Sequence, residues 1–100
     1  MILYNVTVNI DRAVEREWLT WTKQEYLPEI MATGLPSAGT VLRLLTEIEN
    51  EGATYTVQCF FNEMEDFVTY QKLHLNRLET KHHKRYQNQY VSFQTLLEEA

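Results

Sequence analysis

The stretch AGTVLRLLTEIENEGATYTVQCFF, residues 38–61, decides the fold of this chain. Residues 38–47 and 53–61 are both rich in the β-branched and aromatic side chains that are typical of strands. Between them, ENEG (49–52) suits a hairpin connection in which Gly52 supplies a positive φ. Two strands joined by a hairpin pair in antiparallel fashion, so the centre of the chain is predicted to be a β-hairpin.

The residues before this hairpin predict a strand followed by a helix. ILYNVTVNI (2–10) alternates between two side-chain sets, which is the period of a strand. Asp11 offers a side-chain N-cap for a first helix that runs to about Tyr26. Pro28 interrupts the helical hydrogen bonds, and PEIMATG is then a last turn or a short second helix that stops at Gly34.

The residues after the hairpin repeat the pattern of a helix and a strand. Asn62 and Glu65 form a variant of the capping box, which opens a long helix to roughly Arg85 or Tyr86. NQYVSFQTLL (88–97) is predicted to be the fourth strand. The order β-α-β-β-α-β is the ferredoxin-like arrangement of the α+β class, with a four-stranded antiparallel sheet in the order 4-1-3-2 and two helices on one face.

Each predicted strand has one strongly apolar set of residues and one mixed set. A sheet that is apolar on both sides is usually covered on both sides, and the helices cover only one. We therefore expect a homodimer formed sheet to sheet, through the face bearing Tyr4, Val6, Val57 and Phe93 or through its mixed opposite. Such an interface should bury more than roughly 1,200 Å² in total. The apolar sets are Tyr4/Val6/Val8, Leu42/Leu44, Tyr55/Val57/Cys59/Phe61 and Val91/Phe93/Leu97.

The composition of the chain argues against several classes of function. One domain is expected over residues 1–100, and the net charge of −5 without a basic stripe argues against a nucleic-acid partner. No apolar run approaches the roughly 20 residues that span a bilayer, and no secretion signal is visible, so no membrane partner is expected. Cys59 is the only cysteine, which favours a reducing cytoplasm. With three glycines and no phosphate-binding loop, no cofactor is predicted.

Four segments of the chain resemble a family of small bacterial proteins: YNVTVNID (4–11), EWLTWTKQEYLPEIMATG (17–34), RLL (43–45) and KHHKRY (81–86). This family is known only as a domain of unknown function and lies within the dimeric α+β barrel superfamily of ferredoxin-like folds. Relatives in the superfamily include cofactor-free quinol-type monooxygenases, small isomerases, haem-dependent enzymes and ligand-sensing domains, so the resemblance implies a homodimer but no single activity. Where the family often has a histidine before its IPE stretch, this chain has Tyr26.

The adjacent histidines of KHHKRY point in different directions on the predicted second helix. At about 100° per residue, His82 falls at the centre of an apolar face, with Arg85 and His74 on its flank, while His83 points to solvent. Neighbouring helical residues do not form a chelate, so no metal site is predicted. His82 is either a core-edge histidine with a hydrogen-bond partner or a functional group. The face consists of Met64, Val68, Gln71, Leu75, Leu78 and His82.

The predicted first helix carries a carboxylate on its apolar stripe. Val14, Trp18, Trp21 and Glu25 recur at helical spacing, and the two tryptophans are expected in the core. A carboxylate that faces a core needs a partner. The candidates for Glu25 are the basic groups His82, Arg85 and Arg43; alternatively Glu25 reaches solvent at the helix end and Arg43 is a sheet-edge arginine.

A candidate ligand site follows from the strand order. Strands one and three are central neighbours, so Asn5 and Gln58 are predicted to lie side by side under the helices, with Trp18 above them. Together with Glu25 and His82 they would line a cavity with apolar walls and a few polar groups. Arg43 and Arg85 are further candidates for ligand binding, whereas Cys59 is expected to be an inert small hydrophobe.

Three functions remain open on this basis. The first is a homodimeric domain that binds a small-molecule ligand or another partner without catalysis. The second is a cofactor-independent enzyme of the monooxygenase or isomerase type that acts on a small aromatic substrate, with His82 as general base and Asn5 or Trp18 orienting the substrate. The third is a structural assembly module. An enclosed pocket that contains His82 favours the first two, and a packed interior with His82 tied to Glu25 favours the third.

Overall fold

The computed structural model describes residues 1–46 and 52–100. Its strands are β1 (Ile2–Asp11), β2 (Ala38–Arg43), β3 (Gly52–Phe61) and β4 (Tyr90–Glu98). The first helix, after a 3₁₀ turn at Arg12–Val14, consists of α1 (Glu15–Trp21), a π-helical turn (Thr22–Tyr26) and α2 (Leu27–Met31). The second helix consists of α3 (Met64–Tyr70), a π-helical turn (Gln71–Leu75) and α4 (Asn76–Tyr86).

The four strands form one antiparallel sheet in the order β2-β3-β1-β4. This confirms the predicted order of elements and the predicted α+β, ferredoxin-like fold. Asp11 caps the first helical turn as predicted, because its Oδ1 accepts a hydrogen bond from the backbone N–H of Ala13 at 2.9 Å. Gly34 has a φ of 77°, and its N–H donates to the carbonyl of Met31, which closes the first helix at the predicted glycine.

Three local predictions about the hairpin and the second helix are wrong. β2 ends at Arg43 rather than at residue 47, and Gly52 is a strand residue of β3 without a positive φ. Residues 49–51 of the predicted ENEG connection lie outside the described residues. The second helix begins at Met64 with Glu63 as its N-cap, so Asn62 comes one residue too early to cap it.

The sheet has a helix-covered face and an open face. Residues directly opposite each other in an antiparallel pair point to the same side. The helix-covered face therefore holds the buried residues Tyr4 and Cys59, which are paired, together with their neighbours two positions along each strand. It carries Ile2, Tyr4, Val6, Val8 and Ile10 of β1, Tyr55, Val57, Cys59 and Phe61 of β3, and Tyr90, Ser92, Gln94 and Leu96 of β4.

The open face carries the other residue set of each strand. Phe93 pairs with Thr7, so it lies on the open face and not beside Tyr4 as predicted. The reason is that the phase of β4 relative to β1 depends on strand register, which alternation within one strand does not reveal. The open face consists of Leu3, Asn5, Thr7 and Asn9, Thr54, Thr56, Gln58 and Phe60, Val91, Phe93, Thr95 and Leu97, and Leu42 of β2.

The π-helical turns displace the inward face of each helix by one residue. A π turn closes an i→i+5 hydrogen bond and so takes one residue more than an α turn. In the first helix Trp18 and Trp21 are buried as predicted, but beyond the turn Tyr26 and Ile30 face the core and Glu25 is exposed. The predicted inward position of Glu25 is therefore wrong.

The second helix shows the same displacement on the N-terminal side of its turn. Phe67 and Tyr70 are buried in place of the predicted Val68 and Gln71, and Met64 is exposed. After the turn the predicted face is correct: Leu78 and His82 are buried. His82 is 7% exposed whereas His83 is exposed, which confirms the predicted contrast between the two histidines.

Candidate functional site

A cavity of about 90 Å³ lies between the second helix and the helix-covered face of the sheet. It adjoins an open groove of about 360 Å³, and Tyr4, Leu75, Glu79 and Gln94 line both. The cavity is lined by Tyr4, Val6, Val8, Tyr26, Ile30, Val57, Cys59, Tyr70, Leu75, Glu79, His82, Tyr90, Ser92 and Gln94.

The register of β4 relative to β1 explains why the cavity is open on the side of this strand. β4 presents Ser92 and Gln94 to the helices, while its large apolar residues Val91 and Phe93 lie on the open face. Ser92 and Gln94 are both exposed, so this side of the cavity is open to solvent. The opening of the cavity beside β4 is therefore a consequence of strand register.

His82 is fixed by a hydrogen bond from Trp18. The indole Nε1 of Trp18 donates to Nε2 of His82 at 2.9 Å, and both residues are buried. Since an indole nitrogen can only donate, Nε2 is unprotonated and the proton of the neutral imidazole sits on Nδ1. Burial, with a smaller contribution from the charge of His83, lowers the pKa of His82 from 6.5 to about 4.

The His82 ring is surrounded by aromatic rings. Tyr90 meets it edge-on with ring centroids 4.6 Å apart, and Tyr26 and Tyr86 each lie at 5.5 Å. These contacts exclude water from the imidazole, which is why its charged form is disfavoured. At neutral pH His82 is thus an uncharged group that offers an N–H donor.

A second polar pair stands where the cavity meets the groove. The hydroxyl of Tyr4 donates to Oε1 of Glu79 at 2.7 Å. Burial first, and then the hydrogen bond to Glu79, raise the pKa of Tyr4 above its ordinary value of 10.0. The phenol therefore remains a donor at all physiological pH values, and the Glu79 carboxylate is its acceptor.

The remaining titratable groups of the cavity are uncharged. Burial raises the pKa values of Tyr26, Tyr70 and Tyr90 above the ordinary 10.0. Tyr26 also donates from its hydroxyl to the carbonyl of Leu78 at 3.1 Å, which ties the two helices together. Burial raises the pKa of Cys59 to about 12, so its thiol is not an activated nucleophile.

Of the predicted site residues, the structure brings Trp18 and His82 together. Asn5 and Gln58 are paired as predicted, with Nε2 of Gln58 donating to Oδ1 of Asn5 at 3.1 Å. The prediction that they lie under the helices is wrong, because both belong to the open face. Glu25 is exposed and takes no part in the cavity.

The two arginines proposed for Glu25 pair with other carboxylates of the first helix. Arg85 donates to Glu17 at 2.6 Å, with its guanidinium 5.0 Å from the ring centre of Trp21. Arg43 lies 3.9 Å from Glu15 and donates to the hydroxyl of Tyr55 at 2.8 Å. The predicted contact of Glu25 with His82, Arg85 or Arg43 is therefore wrong. Both arginines form ion pairs at the surface, outside the cavity.

Most of the polar side chains that line the cavity are not among the residues predicted from the sequence. Glu79 had a readable signal, since it lies four residues after Leu75 and three before His82 on the apolar face of the second helix. Tyr26 had no such sequence signal, because only the π turn brings it inward. Ser92 and Gln94 also had no such sequence signal, because only the register of β4 places them on the helix-covered face.

Within residues 1–46 and 52–100, no three His, Cys, Asp or Glu side chains come together to hold a metal ion. In the same part of the chain, no helix has the length and apolar character needed to cross a bilayer.

The fold and the site define a ferredoxin-like α+β protein with a cavity between its helices and its sheet. The chain belongs to the family described as a domain of unknown function (DUF4286), whose model matches residues 1–100. This match confirms the family expected from the resemblance of the sequence. Among curated proteins, none matches the sequence significantly.

Solved structures share the fold at low sequence identity. An ethyl tert-butyl ether D family protein from Bacillus halodurans has a TM-score of 0.70 and 9% identity, with 100% of each chain covered. A candidate antibiotic biosynthesis monooxygenase from Deinococcus radiodurans has a TM-score of 0.63 and 14% identity, over 100% of this chain and 93% of the other. A dimeric ferredoxin-like protein from an uncultured marine organism has a TM-score of 0.64 and 7% identity, over 99% and 96%. At these identities the likeness shows the fold alone.

Proposed function

We propose that this protein is a homodimeric, cytoplasmic binding protein whose small-molecule ligand occupies the cavity between the second helix and the sheet. The observation that carries the proposal is the cavity of about 90 Å³ with Tyr4, Glu79 and His82 in its wall. Apolar walls with a few fixed polar groups are what small-molecule sites have in common. The single cysteine, Cys59, is consistent with a reducing compartment.

The homodimer is supported by the open face of the sheet. Val91 is 70% exposed and Phe93 61% exposed on this face, and Leu42 and Leu97 add to the same apolar surface. A second copy of the chain is the simplest cover for such a surface. One of the proteins with the same fold is itself described as dimeric.

An enzyme that uses His82 as general base has less support. A base must have a free lone pair, and Nε2 of His82 already accepts the hydrogen bond from Trp18 while Nδ1 carries the proton. A purely structural module also has less support, because it would have no need for a cavity lined by polar groups.

We expect 2-phenylethanol, a small neutral aromatic probe, to bind in this cavity. Nuclear magnetic resonance titration should shift the backbone amides of Glu79, His82 and Ser92 in a saturable manner. Ser92→Trp should abolish these shifts, because an indole at this position blocks the open side of the cavity.

Thr80→Trp is the matched control, since it adds the same indole at an exposed position of α4. It should leave binding unchanged. Saturable binding that survives Ser92→Trp, or the absence of any shift up to the solubility limit of the probe, would contradict the proposal.

A further inference from the structure

Glu79 is the one charged side chain among the residues that line the cavity in the described part of the chain. It lines both the cavity and the groove, so a ligand that passes between them must contact it. Its Oε1 accepts the hydrogen bond from Tyr4, and its Oε2 accepts none from the described residues.

No cation compensates Glu79 within the described residues, although other carboxylates of the helices are paired. Glu15 lies 3.9 Å from Arg43, and Glu17 lies 2.6 Å from Arg85. The fold thus pairs Glu15 and Glu17 with arginines but gives the carboxylate at the cavity no counter-charge within the described residues.

The nearest basic residues along α4 are directed elsewhere. Arg77 and Lys81 are each two positions from Glu79, which places them about 200° away around the helix. Both bind Glu29 of α2: Arg77 at 3.3 Å and Lys81 by a further ion pair. They therefore hold the two helices together on the side away from the cavity.

The other groups of the cavity do not offset the charge of Glu79. His82 is neutral, and the phenols and the Cys59 thiol keep their protons because of burial. A positively charged ligand would give Glu79 a charge-assisted hydrogen bond and the counter-charge that the described residues do not supply. The cavity lining also includes the aromatic rings of Tyr4, Tyr70 and Tyr90, and the faces of aromatic rings attract cations.

We infer that the ligand of this cavity is a small protonated amine with an apolar body, whose ammonium group binds the Glu79 carboxylate beside Tyr4. The inference rests on the proposed function, because it names the chemical class of the ligand for the same cavity. The cavity volume of about 90 Å³ is smaller than the roughly 150 Å³ that accommodates benzene. Part of the ligand therefore lies in the adjoining groove, and Glu79 stands at the junction.

Three probes of nearly the same shape test this inference: phenethylamine, 2-phenylethanol and phenylacetate, which are cationic, neutral and anionic at pH 7. Isothermal titration calorimetry measures the affinity of each probe, and the amide shifts of Glu79 and Ser92 show whether it binds at the cavity. We expect phenethylamine to bind about tenfold more tightly than 2-phenylethanol, as one charge-assisted contact would give. Phenylacetate should bind most weakly.

Glu79→Gln should remove the preference for the amine while keeping the shape of the side chain and an acceptor for Tyr4. The two affinities should then agree within about twofold, since only the charge has been lost. Glu29→Gln is the matched control, because Glu29 is a paired carboxylate that does not line the cavity. It should retain the full preference, and circular dichroism should show both variants folded.

The outcomes separate this inference from the proposed function. If 2-phenylethanol binds as tightly as phenethylamine to the wild type, the cavity is a ligand site but the amine class is wrong. If phenylacetate binds most tightly, or the amine preference survives Glu79→Gln, the role given to Glu79 is wrong. If no probe binds, the proposed function and the inference both fail.

Discussion

At the scale of single residues, the hydrogen bond from Trp18 to His82 decides the charge state at the cavity wall. It occupies Nε2, so His82 can become an imidazolium only by breaking this bond within an aromatic environment. The lowered pKa of His82 and the geometry of the bond thus have the same consequence, a neutral ring at pH 7.

Protonation of His82 should destabilise the fold in mild acid. The folded-state pKa of about 4 lies below the ordinary 6.5, so the unfolded chain binds the proton more tightly. The stability that the neutral His82 side chain gives the fold is fully present above pH 6.5 and is lost as the pH falls to 4. For a side chain that is 7% exposed, the loss is on the order of 3 kcal/mol in the free energy of unfolding. Urea unfolding at a series of pH values measures it.

His82→Gln should flatten this pH dependence, because glutamine does not titrate. His83→Gln, the exposed neighbour, should leave most of it in place. Equal slopes for wild type and His82→Gln over this pH range would show that His82 is not the titrating group.

At the scale of elements, each helix contains one π turn, and each turn changes which residues reach the core. The turn at Thr22–Tyr26 turns Tyr26 inward and leaves Glu25 at the surface, and the turn at Gln71–Leu75 has the corresponding effect on Tyr70 and Gln71. π turns occur inside α-helices frequently at functional sites. Here they bring Tyr26 and Tyr70 into the cavity wall.

Thr22→Val should stabilise the protein. The side chain of Thr22 is fully buried at the start of the first π turn, and within the described residues its Oγ1 is the one buried side-chain oxygen or nitrogen without a hydrogen-bond partner. Valine has the same shape without the hydroxyl, so the free energy of unfolding should rise by about 1 kcal/mol. Thr20→Val, at an exposed position of α1, should change it little. A loss of stability in Thr22→Val during urea unfolding would mean that the hydroxyl is satisfied in solution.

At the scale of the whole molecule, the helices cover one face of the sheet and leave the other open. The face that bears Tyr4 and Val57 is buried under the helices, so the proposed dimer must use the open face with Phe93. Light scattering at micromolar concentration should give the mass of a dimer for the wild type. Phe93→Asp should give a monomer, because a carboxylate at the centre of an apolar interface would be desolvated without a partner.

Leu73→Asp is the control for this experiment. Leu73 is 66% exposed on the second helix, away from the open face, and its substitution should leave the dimer intact. A monomeric wild type, or a dimer that withstands Phe93→Asp, would rule out the open face as the interface between copies.

The sequence by itself determined the features that depend on local periodicity. The alternation of residues 2–10 and 53–61 identifies the central strands, and Asp11 marks the start of the first helix. The angle between adjacent helical residues separates buried His82 from exposed His83. These features need only the geometry of one element, so a single sequence is enough to predict them.

Only the tertiary structure decided which residues meet in the cavity. The register of β4 places Ser92 and not Phe93 on the helix-covered face, and no pattern within β4 determines its register relative to β1. The π turn of the first helix exchanges Glu25 for Tyr26 on the inward face, and the regular spacing of the stripe does not reveal this turn. Register and helical irregularity are set by contacts between elements far apart in the chain, and those contacts brought Tyr4, Glu79 and His82 into one cavity wall.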